Sequence, residues 1–221
     1  MKKYLEILRQ CSLFEDMTEQ DFLSILSCLS AKHASYLKEQ TIFAEGDCSH
    51  YFGIVLSGAV QIMQIDYYGN KSIVAKLEPS QVFGETFAYA ETKTMPVDVI
   101  ACEPTEVLLI DARKITRSCP NACSFHNQII FNLLKIIAKK NLMFQQKIEI
   151  TSKRSTREKL MTYLLLQAKL QNSNQFYIPY DRQELADYLE VDRSGLSAEI
   201  GKLRKEGILD CKKNYFSLLR K

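Results

Sequence analysis

The spacing of apolar residues changes character several times along the chain. Between residues 3 and 29, Leu5 and Leu8, then Phe22, Ile25, Leu26 and Leu29, recur at helical intervals with a break near residues 14–18. Thr18 and Asp21 are spaced as a capping box for the second of these helices. From about Ala34 to Asp111 the period shortens. The runs TIFAEGD, YFGIVLSGAVQIMQI, KSIVAKLEP, PVDVIAC and EVLLID are strand-like, and SG at 57–58, YGN at 68–70 and EPT at 103–105 separate them. Strands this closely spaced predict a small barrel or jelly roll that buries one face of each strand.

Residues 122 to about 149 contain no Gly or Pro and carry two apolar stripes. One runs through Phe125, Ile129, Leu133 and Ile136. The other alternates steps of four and three through Cys123, Asn127, Ile130, Leu134, Ile137, Asn141, Phe144 and Ile148. That second set is an a/d seam, and Asn at such positions fixes register at some cost in stability. A helix of this length spans about 40 Å at 1.5 Å per residue, more than the β zone needs. The economical reading places one stripe on the barrel and the other on a second copy of the same helix. The alternative is a helix buried on both sides within one chain.

After TSKRS at 151–155 comes another helical pattern to about Leu170, the loop QNSNQ, the run FYIP, and then RQELADYLEVDRSGLSAEIGKLRKEG. Asp181 with Glu184 is a capping box for a first short helix with Leu185, Ala186 and Leu189 inward. A joint at Glu190–Asp192 leads to a second helix that buries Leu196, Ile200 and Leu203, and this is the helix-turn-helix arrangement. The opposite face holds Ser194, Ala198, Gly201 and Lys205, flanked by Ser197 and Lys202, with Arg193 at the start. Small residues and long cations let a helix backbone enter a major groove. A hairpin turning at Lys212–Asn214 follows. The DNA contacts expected are therefore Arg182, Arg193, Ser194, Ser197, Lys202, Lys205, Lys212 and Lys213.

Charge agrees with that placement. Of 221 residues, those from 151 onward hold 14 Lys and Arg against 9 Asp and Glu, while residues 1–150 hold 15 against 17. The surplus of cations near the C-terminus suits an anionic partner. No apolar run approaches the roughly 20 residues needed to span a bilayer, and MKKYLEILRQC lacks a signal-peptide core, so a cytoplasmic location is expected. Seven Cys without a repeat point to reduced thiols.

The chain resembles the CRP/FNR superfamily of bacterial transcription regulators over nearly its whole length. The resemblance is carried by the pattern GxxxxxxFGIVLSGAVQI at 46–62, FGE at 83–85, RQELADYL at 182–189 and the hairpin after EGIL. It implies an α+β fold in three parts. Residues 1–121 would form N-terminal helices and an effector-sensing β-roll (a double-stranded β-helix or jelly roll). Residues 122–150 would form a dimerisation helix, and 151–221 a winged helix-turn-helix. The dimer would read a near-palindromic operator with recognition helices one DNA turn apart, and would meet RNA polymerase if it activates. The seam residues would be Ile130, Leu134, Ile137, Asn141, Phe144 and Ile148.

The sequence departs from the family at informative places. In cyclic-AMP-binding members, FGE is followed by a phosphate-holding Arg and then Ser or Thr; here Met95 and Pro96 occupy those positions. Without the guanidinium a cyclic phosphate has no bidentate charged partner, so cyclic AMP is not the expected ligand. An effector pocket of Phe83, Gly84, Glu85, Thr86, Met95, Pro96, Val97 and Phe144 would be mainly apolar, with Glu85 its one anion. It would take an unidentified small apolar or cationic effector, or be filled by its own side chains. Of the Arg, Glu and Arg that read DNA in the best-known members, only the first is kept, as Arg193, with Ser194 and Ala198 replacing the others. Glu190 sits in the joint where Gly is usual.

Cys11 and Cys28 are too sparse for the iron–sulfur set of the family's oxygen sensors. Cys119, Cys123 and His126 would share a face of a helix, more in keeping with packing than with metal ligation. No metal, cofactor or catalytic constellation is expected, and no enzyme. The reading from sequence is thus a dimeric DNA-binding regulator. The alternative is a ligand-binding or redox-sensing module that uses Cys119 and Cys123 or acts through a protein partner.

Overall fold

A computed structural model of the chain describes residues 4–18, 25, 28–29, 31–90, 93–116 and 125–219. It divides into two compact units. The first comprises residues 1–64 and 75–141, and the second residues 65–74 and 142–221.

The first unit opens with helix α1 (Leu5–Gln10) and a single 3-10 turn at Ser12–Phe14. Most of the second N-terminal helix expected from the sequence, and the Asp21 half of its capping box, lie outside the described residues. Strands β1 (Lys32–Tyr36), β2 (Thr41–Phe43), β3 (Tyr51–Ser57), β4 (Val60–Ile65), β5 (Lys71–Leu77), β6 (Val82–Phe83), β7 (Asp98–Ala101) and β8 (Thr105–Asp111) then follow. They form two four-stranded sheets, β1-β8-β3-β6 and β2-β7-β4-β5. The order means that strands distant in sequence are neighbours in space, as a jelly roll requires. β3 pairs antiparallel with β8 from Tyr51↔Asp111 onward.

One expectation needs correction. β3 buries both faces, not one: Phe52, Gly53, Ile54, Val55 and Leu56 are all buried. Phe52, Ile54 and Leu56 join Leu108 and Ile110 in a core with Leu8, Leu13 and the long helix, so helices cover this face of the strand. A strand covered on both faces loses polar alternation. On its other face Gly53 receives the Phe83 ring. A Cβ built there would lie 2.1 Å from Phe83 Cζ, so no larger residue fits.

Helix α2 (Glu85–Tyr89) leaves β6 through Gly84, whose φ of 79° a side chain would disfavour. Helix α3 is Arg113–Thr116 and the long helix α4 is Phe125–Thr151. Asn132, fully buried in α4, donates to the carbonyls of Leu13 (3.1 Å) and Glu15 (2.8 Å), fastening the N-terminal segment to the helix.

The second unit contains α5 (Thr156–Leu170), begun by a Ser155–Glu158 capping box, then β9 (Gln175–Tyr177), α6 (Arg182–Leu189), α7 (Arg193–Lys205), β10 (Leu209–Lys212) and β11 (Tyr215–Leu218). Three strands in the order β10-β11-β9 make the wing. Its core joins Leu160, Tyr163 and Leu164 with Leu185, Ala186, Leu189, Leu196, Ile200, Leu203, Leu209 and Phe216. Every position read from sequence as inward in the two short helices is buried. Ile73, from the 65–74 segment, is buried in the same core. Among the described residues no helix is long and apolar enough to cross a membrane.

Candidate DNA-recognition face, seam and sensor residues

Helix α7 begins at Asp192, whose carboxylate accepts from the Gly195 amide at 2.8 Å and from the Ser194 hydroxyl. Such a cap satisfies one of the four amides that a helix start leaves open. Hydrogen bonds from Ser194 and Gly195 hold the Asp192 carboxyl below the usual carboxylate range. Arg193, Ser194, Ser197, Ala198, Lys202 and Lys205 are exposed together on the face away from the buried Leu196, Ile200 and Leu203. Gly201 lies among them, and a Cβ added there would meet nothing within 4 Å. Lys202 is shared with Glu199 (3.3 Å), which also faces Arg157 at 3.5 Å. Arg204, in the last turn, is taken by Asp210 at 2.9 Å. Arg193 and Lys205 are therefore the long cations with the freest reach on this face. Lys212 and Lys213 sit exposed at the wing turn, with Lys213 in the left-handed region at φ 57°.

Arg182, expected among the DNA contacts, is turned inward. Its guanidinium carbon lies 5.8 Å from the centre of the Phe216 ring and one nitrogen 3.8 Å from Cys211 Sγ. The side chain braces the start of α6 against the wing.

Glu190 resolves the joint that the sequence left open. It takes the left-handed conformation, φ 54° and ψ 56°, that glycine usually supplies there. Its carboxylate accepts from Ser72 Oγ (3.1 Å) and lies 3.7 Å from Lys147 Nζ, while Lys159 donates to its carbonyl at 3.2 Å. Lys147 also donates to the Tyr188 carbonyl and stands 4.0 Å above the Tyr188 ring. Burial pulls the Lys147 ammonium down to about 8, with Glu190 acting in the opposite direction. None of these partners was legible in the sequence, because they come from three separate segments.

The two stripes of the long helix have opposite environments. Ile129, Leu133 and Ile136 are buried in the first core; the side chain of Phe125 lies outside the described residues. On the other stripe Leu134 is 59% exposed and Ile148 65%, Phe144, Asn127 and Asn141 are exposed, and Ile130 and Ile137 are half-buried. Phe131, Leu142 and Met143 extend this exposed apolar surface.

The expected sensor residues are divided. Phe83, Gly84, Glu85, Met95 and Val97 are buried, whereas Thr86, Pro96 and Phe144 are exposed and Phe144 falls in the second unit. Glu85, expected to be available to a cationic ligand, already has a partner inside the chain: Lys140 lies 2.8 Å away. The sequence reading missed Lys140 because it lies 55 residues further on, and apolar periodicity says nothing of polar pairs that distant.

Among the cysteines, Cys11 is buried, which pushes its thiol up to about 11. Cys28 Sγ lies 4.0 Å from Nε2 of the buried His126. Cys119 and Cys123 lie outside the described residues. Among the described residues no group of three or more His, Cys, Asp or Glu is placed to hold a metal ion.

Comparison with known proteins agrees with this architecture. Residues 33–120 match the cyclic nucleotide-binding domain family, and residues 158–220 the Crp-like helix-turn-helix domain family. The transcriptional activator protein FnrA of Stutzerimonas stutzeri is 25% identical over 178 residues, covering 78% of this chain and 70% of that protein. Among solved structures, the c-di-GMP-responsive global regulator CLP of Xanthomonas campestris superposes with a TM-score of 0.74 at 16% identity, covering 92% of this chain and all of that one. A transcriptional regulator of the CRP/FNR family from Thermus thermophilus does so with 0.60 at 18% identity, over 86% of this chain and 94% of that one. With both domains present in that order around a long helix, this chain belongs to the CRP/FNR family of transcription regulators.

Proposed function

We propose that the protein works in the cytoplasm as a homodimer that binds a near-palindromic duplex operator, under the control of something other than cyclic AMP. The observation that carries this reading is the opposite exposure of the two stripes on α4. One is buried in its own chain, and the other presents Leu134, Phe144 and Ile148 to solvent. Apolar positions at steps of four and three on an exposed face match a seam between two helices. Pairing through it supplies the twofold symmetry that two recognition helices need in order to read inverted half-sites. Arg193 is the base-reading side chain, Ser194 and Ser197 add short hydrogen-bonding groups, and Lys205, Lys212 and Lys213 neutralise phosphates. RNA polymerase is the further partner if the bound dimer activates.

Selection from a random duplex library is the test. A near-palindromic site should emerge, and affinity for it should fall steeply as salt rises, because each phosphate contact releases condensed counterions. Failure to enrich any duplex, in every ligand and redox state tried, would favour a C-terminal domain that engages a protein. A thiol switch through Cys119 and Cys123 is the other reading, and unchanged DNA affinity under peroxide and dithiothreitol removes it.

A further inference from the structure

The anion expected to face a ligand in the β-roll is held by the chain itself. The left-handed turn at Gly84 starts α2 with Glu85 directed inward, and Glu85 is 1% exposed. Lys140, its side chain 18% exposed, reaches Glu85 from the long helix. The ammonium nitrogen lies 2.8 Å from one carboxylate oxygen, 2.9 Å from the other and 2.6 Å from the Val82 carbonyl. Three N–H donors thus face three acceptors, and the charge on each side is matched where water is scarce. Thr86 Oγ donates to the same carboxylate at 3.3 Å, and a cationic ligand that pairs with Glu85 must displace Lys140, leaving a largely buried ammonium without its counter-ion, an unfavourable exchange. The apolar neighbours are equally committed: Phe83 is stacked onto Gly53, and Met95 is buried and exchanges backbone hydrogen bonds with Gly46 and Asp47.

We propose that Lys140 is the sensor domain's internal substitute for an effector. Through Glu85 it ties the long helix to the β-roll, so the regulator binds its operator without a small molecule and takes no cyclic nucleotide at this site. Lys140 acts here as a positioning residue for the helix that carries the seam. The proposal rests on the DNA-binding reading above, and its test separates the two.

Extensively dialysed full-length protein is titrated calorimetrically with cyclic AMP and cyclic GMP to about 1 mM, where specific binding fades into the weakest class. No binding heat is expected, and saturable binding of either nucleotide would overturn the proposal whether or not any duplex is found. In parallel, fluorescence anisotropy measures affinity for the selected duplex. Ligand-free wild type should bind it, and either nucleotide should leave the affinity within about threefold, a change of less than about 1 kcal/mol; a larger gain overturns the proposal.

Lys140→Met strands the Glu85 carboxylate and should lower operator affinity on the order of tenfold or more with the dimer mass unchanged, while Glu85→Gln added to it should recover most of the loss. Wild-type affinity in Lys140→Met would overturn the positioning role. Should that variant fail to fold, the nucleotide titrations on wild type decide the matter alone. A wild type that selects no duplex but binds no nucleotide sinks the DNA-binding reading and leaves the closed sensor site standing.

Discussion

The Glu190 carboxylate lies 3.7 Å from Lys147 Nζ, which joins the helix-turn-helix joint to the C-terminal part of the long helix. The lysine is held below its ordinary value, at about 8, chiefly by burial. Below about pH 8 the lysine is protonated in both folded and unfolded chains. Between about 8 and its unfolded value of 10.5 the unfolded chain binds more protons, so this group makes stability rise with pH. The stability of wild type relative to Lys147→Met should therefore increase across that window, as read by denaturant unfolding at fixed pH steps. A difference independent of pH would show that Lys147 titrates normally.

Gly201→Ala separates a groove-facing helix from a merely solvated one. The added methyl meets nothing within 4 Å in the protein, and replacing a mid-helix glycine is worth about 0.5–1 kcal/mol of stability. Thermal melting should rise slightly while operator affinity falls. A variant that is both more stable and an equally good binder would place Gly201 away from the DNA.

Arg193 and the wing lysines should fail in different ways. Arg193→Ala is expected to lose discrimination between operator and random duplex by about 1–3 kcal/mol. Lys212→Ala with Lys213→Ala should weaken all duplexes alike and flatten the log–log salt slope by about two, one phosphate for each lysine. Anisotropy titrations over a salt series, on specific and random duplexes, distinguish the two patterns.

Asn132 links the long helix to the N-terminal segment through two carbonyls. Asn132→Ala leaves the Leu13 carbonyl unpaired in a buried setting, at a cost of about 1–3 kcal/mol, while the carbonyl of the exposed Glu15 can turn to water. Chemical unfolding should report a loss in that range. A loss below about 0.5 kcal/mol, the level of an ordinary surface substitution, would show that solvent reaches the site.

The legible parts of this fold were those in which period and burial coincide. Leu185, Ala186, Leu189, Leu196, Ile200 and Leu203 are inward because their spacing leaves no other amphipathic solution. The opposed stripes of α4 were equally plain, as was the wing turn at Lys212–Asn214. What spacing could not show were pairings between polar residues far apart in sequence. Lys140 with Glu85, Glu190 with Ser72 and Lys147, and Asn132 with Leu13 each join segments that only the tertiary fold brings together. Nor did alternation show that β3 is covered on both sides, with Phe52, Ile54 and Leu56 under the helices and the Phe83 ring on Gly53 opposite.

The most direct test is the number of chains on one operator duplex, measured by sedimentation equilibrium for wild type and for Leu134→Asp with Ile148→Asp. Two wild-type copies per duplex are expected. The charged pair, set into the exposed stripe, should leave single copies that fold normally but bind at least about a hundredfold more weakly, since each protomer then holds only one half-site. Two copies of the charged variant on the duplex, at wild-type affinity, would contradict pairing through this helix.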